Sequence, residues 1–132
     1  MKASADAALT FFETLGASST PYLDLSALWQ AHERADLAVY IHWLEWVAHD
    51  LAILITTDNV TLLRLPFVEN RLRKIAADWD ATTILEVTPI LREALRANEL
   101  NIATKLIGDM VILELNTLVE RSRHANRSRS TL

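Results

Sequence analysis

The stretch DLAVYIHWLEWVAHDLAILIT, from Asp36 to Thr56, decides the fold. Leu37, Ile41, Leu44, Ala48, Leu51 and Ile55 recur at spacings of four and three, which places them on one narrow stripe of an α-helix. Asp36 suits the N-cap, because a short carboxylate accepts hydrogen bonds from the free N–H groups of a first turn. The helix ends near Thr56, before the turn-forming pair Asp58-Asn59. β-branched residues are frequent from Ile53 to Leu65, so a short hairpin around Asp58-Asn59 is a competing reading.

Five more helical segments read outward from this one. Ala5, Ala8, Leu9, Phe12 and Leu15 form a stripe that Gly16 can stop. Leu25, Leu28 and Trp29 mark a short second helix. Pro66 suits a helix start, and Val68, Leu72, Ile75 and Trp79 follow at helical spacing. Asp80 can cap a fifth helix carrying Ile84, Val87, Leu91 and Leu95, which Pro89 should kink or restart with Thr88 as the cap. The last helix begins near Asn101 and runs to about Ser122, with Ile102, Ala103, Leu106, Ile107, Met110 and Leu113 as its main stripe. Two glycines and three prolines in 132 residues are too few for a fold rich in tight turns. The expectation is an all-α, compact bundle of about six helices over residues 3–122.

With no cysteine, the chain cannot hold a disulfide, a thiolate zinc site or a cysteine nucleophile. No apolar run approaches the ~20 residues of a membrane span, and Met1 to Ala8 lacks the order of a secretory signal. A cytoplasmic protein is expected. Net charge is −4, but Arg121, Arg123, Arg127 and Arg129 lie in a stretch without acids, and without them the body stands at −8. Such a body disfavours phosphate, so no specific nucleic-acid contact is expected. Residues 123–132 read as a basic, frayed, disordered tail.

The third and last helices carry more apolar surface than one core requires. Behind the main stripe of the third sit Val39, Trp43, Trp46 and Ile53, with Asp50 the one charge among them. On the last helix Gly108, Ile112, Leu115 and Val119 line up away from its main stripe. Gly108 costs about 1 kcal/mol relative to alanine inside a helix, and its missing side chain would let another backbone approach. Either helix is central to its own bundle, or its second stripe meets a partner, as tryptophan often does at binding hot spots.

Catalytic signatures are missing. His42, Glu45 and His49 share one helix face, but one helix rarely completes a metal site, and a solvated polar face is the plainer reading. Phosphate-cradling loops need several glycines, whereas this chain has only Gly16 and Gly108. No Gly-x-Ser-x-Gly turn presents a nucleophile. No catalytic, cofactor-binding or metal residue is assigned.

Three stretches carry a resemblance: HWLEWVAHDLAIL (His42 to Leu54), LRKIAADWDATTILE (Leu72 to Glu86) and LNIATKLIGDMVILEL (Leu100 to Leu115). In this order they resemble the C-terminal domain of the delta-prime subunit of bacterial DNA polymerase III. His42-Trp43-Leu44 stands where that family has a His-Trp-Leu helix start, and Asn101 to Ile107 where it has an Asn-started helix. The likeness covers about Leu23 to Arg121, and ALTFFETL (Ala8 to Leu15) resembles the domain's opening helix. The resemblance implies a clamp-loader collar: a non-catalytic oligomerisation domain, here a fragment of a longer subunit of the DNA polymerase III holoenzyme. It implies the gamma/tau and delta subunits as partners in DNA replication. The alternative is a free-standing helical regulator that homodimerises through Trp43/Trp46 or Gly108/Ile112.

Overall fold

The computed structural model describes residues 3–17 and 20–130 and, for 128–130, the backbone only. The fold is all-α: α1 (Ala5–Ala17), α2 (Pro21–Gln30), α3 (Arg34–Thr56), α4 (Glu69–Ala76), α5 (Ala81–Leu85), α6 (Val87–Glu99) and α7 (Thr104–Ser130). No strand occurs among the described residues. α3 packs against α1, α4, α5 and α6, while α7 packs against α2, α6, α5 and α1. The expected inner stripe of α3 holds: Leu37, Ile41, Leu44, Ala48 and Leu51 are buried, and Ile55 is half-buried against them. The helix starts two residues before Asp36, which lies in the first turn without a capping bond. Its charge there suits the positive end of the helix dipole.

α3 spans 23 residues with a mean hydropathy of 1.2 over an 18-residue window, so length and composition alone would let it cross a membrane. This corrects the expectation that no segment is long and apolar enough. Within the bundle, 44% of that window is buried by the chain's own helices.

The segment after α3 is not a hairpin. Asp58 turns the chain at a φ of 51°. Asn59 then caps a 3-10 turn over Val60–Leu62 by accepting from the Thr61 N–H at 3.2 Å. Leu63 and Leu65 alternate inward with Leu62 and Arg64 outside, which is the strand-like pattern visible in the sequence. The Arg64 and Leu65 N–H groups find a side chain in place of a second strand. The fully buried Asp50 carboxylate accepts from Arg64 N at 2.9 Å and from Leu65 N at 2.8 Å. This one acid fastens the whole connection to α3.

Asp80 caps α5 as expected, accepting from the Thr83 N–H at 2.8 Å and the Thr83 hydroxyl at 2.7 Å. The expected fifth helix breaks at Glu86 and restarts at Val87, not at a Thr88 cap. Pro89 therefore falls in the first turn of α6, where an N–H has no partner within the helix anyway. Asn101 belongs to the end of α6 and not to the start of α7. It adopts a φ of 62°, the left-handed geometry that asparagine tolerates after a helix. Arg34 reinforces this corner by donating to the Asn98 and Ile102 carbonyls.

The C-terminal stretch expected to fray is helical through Ser130. Arg123 lies 3.6 Å from Asp78, which ties the helix to the turn after α4, and 3.2 Å from Glu120 one turn back in its own helix. Residues 131 and 132 of the expected tail lie outside the described residues.

Candidate partner-binding surface

The two apolar stripes singled out in the sequence have opposite fates. On α7, Ile112, Leu115 and Val119 are buried in the chain's own core, and Gly108 lies buried beside them. An ideal Cβ at Gly108 would stand 2.4 Å from Trp29 Cδ1. The close neighbour is thus an indole of α2 and not another backbone. Its Nε1–H donates to the Thr104 carbonyl at 2.9 Å, and Phe11 and Tyr40 hold the ring from the other side at centroid distances of 6.3 and 5.7 Å. Because the indole fits only against a glycine, this contact sets the rotation of α7. The stripe expected to be the core is turned outward in consequence. Of its members only Ile107 is buried; Ile102, Leu106 and Leu113 are exposed and Met110 is half-buried.

On α3 the second stripe is divided. Its lower half, around Asp50 and Ile53, is partly covered by the connection that Asp50 anchors. Its upper half lies open: Val39 is 49% and Trp46 39% exposed, with Trp43 half-buried between them. The Trp43 and Trp46 rings meet edge to face at 4.9 Å, and the Arg64 guanidinium sits over Trp46 at 5.7 Å. Between Val39, His42, Trp43 and Trp46 there is a hollow of about 250 Å³. The result is an aromatic surface with a concavity, carried on the side of α3 away from its buried stripe. Arg64 was not apparent as part of this surface from sequence; the lone acid in an apolar stripe was the available signal, because it fixes where Arg64 lies.

Beside this surface, His42, Glu45 and His49 line a cleft of about 360 Å³ together with Arg64 and Arg92. The three do not converge on a point. His42 Nδ1 is 3.5 Å from Glu45, whereas His49 Nδ1 turns to Asp50 at 2.9 Å, and Arg92 approaches Glu45 at 3.8 Å. No group of three histidine or carboxylate side chains within reach of one metal ion forms among the described residues. The cleft is a mixed-charge flank of the aromatic surface.

These features define an all-α bundle with a tryptophan-centred face on α3, one of its two long core-forming helices. Comparison with protein-family models, curated proteins and solved structures returns no match.

Proposed function

We propose that this chain is a non-catalytic assembly module whose Val39–Trp43–Trp46 face packs against another protein. The observation that carries the reading is the open Trp43/Trp46 pair on a helix whose opposite side is the bundle core. The helical backbone and the edge-to-face contact of the two rings are present without a partner, which limits the conformational entropy lost on docking. Aromatic anchors of this kind dominate binding energy at protein interfaces.

The specific form of the proposal is the collar of the bacterial clamp loader, in the cytoplasm, with the gamma/tau and delta subunits as neighbours. What supports it is the order of sequence signatures from His42 to Leu115. The test is co-elution of the chain, carried in a full-length subunit, with gamma/tau and delta. Trp46→Ala should abolish co-elution while leaving the thermal melt nearly unchanged. Intact assembly with this variant sinks the α3 surface as the contact. Sedimentation of the chain alone as a dimer that Trp46→Ala dissociates would replace the collar by the homodimeric regulator.

A further inference from the structure

A second groove, between α6 and α7, shares only Leu85 with the cleft beside Trp46 and carries a charge pattern of its own. It opens between the α5–α6 junction and the middle of α7, holds about 580 Å³, and is walled by Leu85, Pro89, Ile90, Leu113 and Leu118. Leu85 and Leu113 are 61% and 58% exposed, far more than core leucines tolerate. Leu106, 62% exposed, and Met110 extend the apolar stripe back along α7 at helical spacing. Three acids accompany it. Glu86 and Glu114 line the groove, and Glu93 follows Glu86 two turns later along α6. Arg121 is the one cation in the lining and is already engaged, with Nη2 3.1 Å from Glu86. Glu93 and Glu114 form no ion pair among the described residues.

We infer that this groove docks an amphipathic helix from a partner protein, with an apolar face flanked by lysine or arginine. Apolar anchors at i, i+3 or i+4, and i+7 would fill the leucine-lined trough, as helices do in hydrophobic grooves. Basic flanks would meet Glu93 and Glu114, which lack counter-charges of their own. From Glu86 to Leu100, α6 with its two caps runs about 21 Å at ~1.5 Å per residue, so an occupant lying along the helix past Glu93 is about four turns. A second copy of the chain fits poorly, because a two-fold interface sets the same patch against itself and brings the acids together. The chain's own basic end, RSRHANRSRS from Arg121 to Ser130, has no large apolar side chain to fill the trough. This inference concerns a groove whose lining includes none of Val39, Trp43 and Trp46, and it stands without the collar reading.

The test uses the whole chain and two fluorescein-labelled, 18-residue model peptides, the length being about that of the groove plus one turn. One carries leucines at i, i+4, i+7 and i+11 with lysine flanks; the other replaces every lysine by glutamate. Fluorescence anisotropy at low salt should show the lysine peptide binding at least tenfold more tightly. Leu113→Asp should weaken it at least tenfold, and the double change Glu93→Lys with Glu114→Lys should reverse the preference between peptides. All three positions are exposed, and circular dichroism checks that the variants stay folded. Trp46→Ala should leave peptide binding unchanged. Equal binding of both peptides, no binding of the lysine peptide, or loss of binding on Trp46→Ala instead of Leu113→Asp would overturn the inference. So would self-association of the chain that Leu113→Asp abolishes, since the occupant would then be a second copy.

Discussion

α3 and α7 are the two long helices of the bundle, and both carry apolar side chains around more than half of their circumference. They resolve that excess in different ways. α7 is clamped from one side by Trp29 against Gly108, so Ile112, Leu115 and Val119 fill the core while Leu106 and Leu113 face out. α3 is clamped by the core on one side and by a loop tied to Asp50 on the other, so of its large apolar side chains Val39 and Trp46 remain exposed, with Trp43 half-buried between them. One helix is oriented by a missing side chain, the other by a buried charge. In each case a single residue that breaks the apolar pattern determines which face is left for a partner.

Pairing one substitution from each helix gives the largest expected contrast. Ile112→Ala removes a buried side chain and should cost ~2–5 kcal/mol of stability, read by denaturant unfolding. Trp46→Ala removes a side chain that is partly solvated already, and should cost less than about 1 kcal/mol, the range usual for surface positions. Equal losses from the two variants would mean that the α3 face is as much core as the α7 face. A smaller loss is expected at the loop anchor. Asp50→Ala strands the buried Leu65 N–H, at ~1–3 kcal/mol for an unsatisfied buried donor, and the part-buried Arg64 N–H, which water can reach at a cost of about 1 kcal/mol, so it should lower stability by about 2–4 kcal/mol. The diagnostic reading is local: hydrogen exchange of the Arg64 and Leu65 amides should accelerate before that of Leu115.

Much of this arrangement was legible in the sequence. The α3 core stripe, the Asp80 cap and the turn at Asp58-Asn59 each follow from local chemistry, and each is present. The rotation of α7 was not legible, because its period allowed two inward faces and the choice rests on Trp29, 79 residues away from Gly108 in the chain. Local reading could flag the glycine as anomalous but not say what approached it. The same holds for Asp50, whose partners sit 14 and 15 residues on, in a segment whose alternating pattern mimicked a strand. The open part of α3 was visible as an excess; which half of it would be covered was not.

Gly108→Ala tests the clamp on α7 directly. Two effects oppose each other: alanine favours the helix by about 1 kcal/mol, whereas overpacking a core costs ~1–3 kcal/mol. The added Cβ would lie 2.4 Å from an indole that cannot swing away, since Thr104, Phe11 and Tyr40 hold it. A net loss of up to about 2 kcal/mol is therefore expected, with a red shift in tryptophan emission as Trp29 is displaced. A gain in stability would mean that the indole moves freely and does not set the rotation of the helix.

The smallest expected effect concerns pH and the corner between α2 and α3. His32 is buried there, its ring stacked on Tyr40 at a centroid distance of 3.8 Å, and neither ring nitrogen has a hydrogen-bond partner. Burial lowers its pKa from the ordinary value, with the Asp36 carboxylate opposing the shift. The folded state therefore binds fewer protons than the unfolded state once pH falls to about 6.5, the ordinary histidine value. Because stability rises with pH wherever the unfolded chain holds more protons, the contribution of His32 is complete above that pH and is lost as pH falls through the lowered pKa. His32→Phe keeps a flat ring for Tyr40 and removes the titration. Unfolding free energies of the two proteins should run parallel above about pH 7.5 and diverge below about pH 6.5, with the natural chain losing more. Parallel curves down to pH 5 would mean that the buried imidazole accepts a proton without leaving its place, so that the corner tolerates the charge.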